Sequence, residues 1–192
     1  LNYLAHLHIA QHCQSSLLGN LLGDFVKGNP DTQFSQHVSQ GVRLHRFVDS
    51  YTDSHGSVIE ARQLFDNGTR RFSGIALDMF WDHCLAKRWY EFHSQPLEQF
   101  CNAALEQVMN DEQQQQLPGR FVTVTQAMWQ GQWLSSYQHI ENIEFALQRM
   151  SNRSARMTRL ADCFPYLERN YHQLDELFTS LYPQILTASK SF

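Results

Sequence analysis

The chain has 192 residues, with 15 Lys plus Arg against 19 Asp plus Glu and 42% hydrophobic residues. This fits one domain burying about 70% of its unfolded surface and excludes a disordered tail protein. Nine Gly, five Pro and few β-branched runs argue against a barrel or sandwich, while Leu, Gln, Ala, Glu and Arg recurring at three- and four-residue spacing predict an all-α bundle. The net charge of −4 argues against a general nucleic-acid binder, because neutralising many phosphates takes a basic excess. No stretch approaches the roughly 18 to 20 apolar residues of a membrane span, so no membrane partner is expected. Cys13, Cys84, Cys101 and Cys163 form no CxxC pair, and the N-terminus has neither a basic n-region nor a long apolar run. A reduced, cytoplasmic protein is expected. Leu1 in place of Met points to a missing or alternative start.

Taken in order, Tyr3 to Cys13 reads as a short helix burying Leu4, Leu7 and Ile9, and Ser15-Ser16 can cap the next. Leu17, Leu18, Leu21, Leu22 and Phe25 give an apolar face that stops at Gly28-Asn29-Pro30; the Leu-Leu-Gly repeat at 17–19 and 21–23 reads as local. A third helix is predicted from about Ser35 to Tyr51 with Leu44, Phe47, Val48 and Tyr51 in its stripe. A fourth starts at Ser54 or Ser57 and ends at Asn67-Gly68, and Ile75 to Trp89 is the fifth and most apolar. Beyond Pro96 come a helix to about Asn110, a glutamine-rich connector over 113–116, and helices near 121–134, 140–150 and 158–188.

The ionisable residues of the first half are oddly placed for a simple bundle. His6 and His8 sit in an apolar opening helix, and Asp24 follows Leu-Leu-Gly. His45 and Asp49, Asp49 and Asp53, and Asp78 and Asp82 are each four apart, with His83 next to the last pair. Residues four apart share a helix face, so each pair can converge on one centre. Asp78 and Asp82 lie in a stripe with Ile75, Met79, Leu85 and Trp89, where unpaired carboxylates would cost several kcal/mol each and repel one another. A cation solves both problems, and oxygen ligands with one or two imidazoles suit Mn²⁺ or Mg²⁺, with Fe²⁺ or Zn²⁺ as alternatives. The competing reading pairs these carboxylates with Arg70, Arg71 or Arg88 across the bundle. His8, His12 and His37 read as packing or surface histidines, and Asp53 and His55 can equally cap the fourth helix. Cys84 beside His83 makes no nucleophile pair, since adjacent helical residues point about 100° apart. P-loop, zincin, serine-hydrolase and dinucleotide motifs are absent, and no Glu has a His three residues on, which removes a ferritin-like di-iron site.

Four blocks in order then carry a resemblance: Asn2-Tyr3-Leu4-Ala5-His6-Leu7, the run Leu18 to Gly28, Gly41-Val42-Arg43-Leu44-His45-Arg46-Phe47-Val48-Asp49, and Leu77-Asp78-Met79-Phe80-Trp81-Asp82-His83. Over nearly its whole length the chain resembles the acyl carrier protein phosphodiesterases. The resemblance implies a helical, distorted HD-domain-like fold. It also implies removal of the 4′-phosphopantetheine arm from holo-acyl carrier protein with a divalent metal such as Mn²⁺. No contiguous His-Asp pair occurs; the nearest is Asp82-His83 in reverse order.

For such a reaction, Asp24, Asp78 and Asp82 are the expected oxygen ligands, with His6, His45 or His83 supplying nitrogen. In the resulting assignment His6 joins the three aspartates on the metal, His45, Asp49 and His83 serve the chemical step, and Arg43 or Arg46 holds phosphate oxygens. Arg149, Arg153, Arg156 and Arg159 would line one helical face, and steer an acidic carrier, if 149–159 is continuous. Two other functions compete: an HD-like nucleotide phosphohydrolase using Trp81 or Tyr51 to stack a base, and a catalytically silent bundle that binds a carrier or regulator.

Overall fold

Two helices that are apolar on every side lie at the centre, because neither has a polar face to offer to water. The computed structural model describes residues 1–113 and 115–192. In it α1 (Tyr3–His12) is buried continuously from Leu4 to Ala10, and α5 (Ser73–Lys87) buries Leu77, Phe80, Trp81, Leu85 and most of their neighbours. Around this pair pack α2 (Leu17–Leu22), α3 (Gln36–Ser54), α4 (Gly56–Gln63), α6 (Trp89–Phe92) and α7 (Leu97–Glu112). The second half adds α8 (Gly119–Gln130), α9 (Trp133–Ser136), α10 (Ile140–Ser151), α11 (Phe164–Arg169) and α12 (Tyr171–Lys190). Among the described residues there is no strand, and no helix is long and apolar enough to cross a membrane. The fold is the all-α bundle that composition predicts.

Several predicted helices are broken. The span 121–134 divides at Gly131 and Gln132, the latter at φ 50°, a left-handed conformation that no α-helix continues through. The span 158–188 divides into a 3₁₀ turn, α11 with Pro165 in its first turn, and α12, with Asn170 leaving helical geometry between the last two. The fifth helix stops at Lys87, and Trp89 begins a separate turn of helix. α10 ends at Ser151, so the arginines from 149 to 159 do not share one helical face. Of the glutamine connector, Gln114 lies outside the described residues.

The contact that positions the site is between α2 and α3. The Ser16 side chain caps α2 by accepting from the Gly19 N–H at 3.0 Å. From there Gly19 and Gly41 meet backbone to backbone: a Cβ on Gly19 would lie 2.3 Å from the Val38 carbonyl oxygen, and one on Gly41 would lie 2.8 Å from that of Ser16. The Leu-Leu-Gly repeat places Gly19 within α2 and Gly23 just past its end four apart, and both approach α3. Gly19→Ala should force the helices apart and lower stability by about 2 kcal/mol or more, read as a fall in the denaturant midpoint.

Candidate active site

His45 and Asp49, one turn apart on α3, face His6 from α1. Each Asp49 oxygen meets a different imidazole, with Oδ1 3.1 Å from His6 Nε2 and Oδ2 3.0 Å from His45 Nε2. Asp24, just beyond the end of α2, places Oδ1 3.4 Å from His45 Nε2. The two rings stack with centroids 3.8 Å apart. Gly23 makes this possible, because a Cβ there would lie 2.1 Å from ring carbons of His45. The His45 Nδ1–H donates to the Asn20 carbonyl at 2.7 Å, which fixes the tautomer and leaves Nε2 facing the carboxylates.

Both imidazoles are buried, whereas Asp49 and Asp24 have side chains 42% and 57% exposed, so the group opens to solvent on its acidic side. His45 Nε2 and His6 Nδ1 are buried without an aligned hydrogen-bond partner. Burial and the neighbouring His45 ring push the His6 pKa down to about 4. Burial also opposes charge on His45, but Asp24 and Asp49 outweigh it and raise that ring to about 9. Asp24 is held below the usual carboxylate range by its contact with His45; Asp49, although burial pushes it up, is brought lower still by both rings. Atoms of His6, His45 and Asp49 all lie within 4.8 Å of one another, a spacing that could hold a metal ion. The donor set fits a divalent cation: imidazole nitrogens with carboxylate oxygens, a buried nitrogen lacking a partner, and a backbone carbonyl orienting one ring from behind.

The remaining sequence candidates lie outside this cluster. Asp82 is fully buried and accepts from the backbone N–H groups of Asn2, Leu4 and Ala5 at 3.1, 2.8 and 3.1 Å, so it caps the first turn of α1. Burial raises its pKa to about 7 against the pull of those amides. Asp78, one turn earlier, accepts from the Leu1 nitrogen and stays partly exposed at the cleft. Main-chain amides compensate Asp82, and among the described residues neither carboxylate pairs with Arg70, Arg71 or Arg88. His83 lies apart, with Nδ1 donating to the Tyr137 carbonyl and Nε2 accepting from the Tyr171 hydroxyl, both at 2.7 Å.

Arg46 donates to the carbonyls of Val26 and Gly28, and Arg43 pairs with Asp31. Both arginines brace the loop after α2. Trp81 is fully buried and unavailable to a base, and Cys84 is buried with its thiol pushed well up. His55, not Asp53, caps α4, its Nδ1 accepting from the Ser57 N–H.

Asp24, Asp49 and Asp78 border a cleft of about 610 Å³ that Arg120 and Arg153 also line. A model of the family described as acyl carrier protein phosphodiesterase matches residues 1–185. The acyl carrier protein phosphodiesterase of Pectobacterium atrosepticum is 40% identical over 192 residues, all of this chain and 98% of that protein. The protein of the same name from Escherichia coli O45:K1 is 40% identical over 187 residues, 97% of this chain and 96% of its own. The chain belongs to the acyl carrier protein phosphodiesterase family. No solved structure matches it.

For this member of the family, sequence reasoning underrated Arg120 and Arg153. Arg120 is the lone basic residue of 97–148, a signal in itself, whereas only the end of α10 brings Arg153 to the cleft. The capping role of Asp82 predicts that Asp82→Ala, by orphaning three amides, lowers stability by roughly 2–5 kcal/mol. Asp24→Ala, at an exposed carboxylate, should shift the thermal midpoint far less; circular dichroism melts compare the two.

Proposed function

We propose that this protein hydrolyses holo-acyl carrier protein to the apo carrier and 4′-phosphopantetheine, using a divalent cation, Mn²⁺ first among Mn²⁺, Mg²⁺ and Fe²⁺, held by His6, His45, Asp49 and Asp24. Family membership supports the reaction. The carrying observation for the metal is the buried His45 Nε2, turned by the Asn20 carbonyl toward two carboxylates yet aligned with neither. Two histidines in the donor set favour Mn²⁺ or Fe²⁺ over Mg²⁺.

The reaction replaces the phosphorus–oxygen bond to the carrier serine with one to a water oxygen, and the serine oxygen leaves with a proton. When bound, the cation supplies charge neutralisation and an acidified water. Arg120 and Arg153, which line the same cleft as the carboxylates, bind the phosphate oxygens and hold the diester there. Asp49 sets one oxygen beside each imidazole, 3.1 Å from His6 Nε2 and 3.0 Å from His45 Nε2. Tyr3 also borders the cleft and retains its hydroxyl proton, since burial raises it to about 12; it can donate a hydrogen bond to the departing oxygen.

Mass spectrometry of holo-acyl carrier protein incubated with the protein and Mn²⁺ should show loss of the mass of the arm. An intact carrier would overturn the reading. EDTA should lower turnover by at least about 100-fold and Mn²⁺ restore it. Asp49→Ala should cost about as much with an unchanged far-ultraviolet spectrum. Gly23→Ala, which displaces the His45 ring without touching a ligand, should lower kcat by about 100-fold; full activity there would show that the His45 position is immaterial.

A further inference from the structure

A second cavity, of about 380 Å³, opens off the cleft and shares Tyr3, Phe25, Met79, Arg120 and Arg153 with it. Beyond that boundary Val124 from α8, Trp133 from α9 and Phe145 and Ala146 from α10 give it apolar surface, beside the polar Ser136, Asn142 and Arg149. Arg149 lies over the rings of Trp133 and Phe145, at 5.8 and 5.6 Å from their centroids. Phe145 is 57% exposed, a large apolar side chain left without cover. Among the described residues, none of Arg120, Arg149 and Arg153 has a carboxylate within ion-pair distance. The combined space thus has the unpaired Arg120 and Arg153 where the cavities meet, and beyond them aromatic and aliphatic surface with Ser136, Asn142 and Arg149 among it.

We propose that this second cavity is the binding site for the pantetheine arm, an assignment that rests on the phosphodiesterase reading above. 4′-Phosphopantetheine has the same polarity as the space: anionic at the phosphate, then a gem-dimethyl carbon, two neutral amides and a thiol. With its phosphate at Arg120 and Arg153, the neutral remainder extends along Trp133, Phe145 and Ala146. A volume of this size is that of a small-molecule site. The cavity then selects for the arm, and the carrier remains outside the cleft.

Two substrates separate this assignment from the reaction itself: holo-acyl carrier protein, and bis(p-nitrophenyl) phosphate, a diester with no arm. Ala146→Trp fills the cavity from α10 and Val124→Trp fills it from α8. Each should lower kcat/KM for the holo carrier at least about tenfold more than for the armless diester. In the wild-type protein, 4′-phosphopantetheine should inhibit cleavage of the armless diester at least about tenfold more strongly than inorganic phosphate, a comparison that needs no variant to fold. Equal losses on both substrates, or equal inhibition by the two anions, overturn the arm site. A wild-type protein that cleaves the armless diester and leaves the holo carrier intact overturns the substrate reading, and the arm site with it.

Discussion

The candidate site exists because α2 and α3 touch with no side chain between them at Gly19 and Gly41. Side chains ordinarily hold packed helices 8–10 Å apart, whereas small residues allow the main chains to meet. Here the gain is chemical as well as steric. The close approach lets the His45 ring lie against Gly23, and it brings the Asn20 carbonyl within hydrogen-bonding distance of Nδ1. With one nitrogen committed to α2, the other has a fixed direction, toward Asp49 on its own helix and Asp24 at the end of its neighbour. Three consequences of one contact, ring position, tautomer and the convergence of two carboxylates, thus come from residues with no chemistry of their own.

The His6 half of the site has a different support. α1 lacks a side-chain cap of its own, since Asn2 accepts nothing from the helix, and its first turn is buried in the bundle where water cannot replace a cap. Asp82 fills that role from α5 by accepting three main-chain amides. Charge-assisted hydrogen bonds and the positive end of the helix dipole offset the desolvation of the carboxylate. The same contact fixes where α1 begins, and therefore where His6, one turn later, meets Asp49.

This arrangement shows which of the candidate residues the fold brings together and which it keeps apart. Period and composition made the bundle legible, and the four-residue spacing of His45 and Asp49 put both on one face of α3. The same spacing argument applied to Asp78 and Asp82 was equally sound about the face and about the cost of burial. For Asp82 three main-chain amides contribute to the compensation, and such amides leave no mark in the residue pattern, whereas arginines do. Helix breaks at Gln132 and Asn170 were hidden for a similar reason: neither residue is a strong breaker, and tertiary packing selects their conformation. Arg43 and Arg46 adjoin His45 in sequence, but positions one or two apart on a helix point away from one another, and both turn to the loop after α2.

Charge is distributed around the cleft in a way that the net value of −4 conceals. Asp24, Asp49 and Asp78 line the cleft together with Arg120 and Arg153. A phosphodiester placed against carboxylates alone would be repelled, and against arginines alone it would have no group to activate water. The two requirements are met by different halves of the chain: α1, α2, α3 and α5 supply the acids and imidazoles, whereas α8 and the segment after α10 supply the guanidinium groups. The early termination of α10 at Ser151 matters here. A continuous helix through 159 would hold Arg153 on a straight stripe with its neighbours, whereas after the end of α10 at Ser151 it lines the same cleft as Asp49 and Asp78. Relative placement of the two halves, rather than the strength of either, therefore sets how well an anionic diester can be held against the carboxylates, and the first constraint on that placement is the packing around α1 and α5.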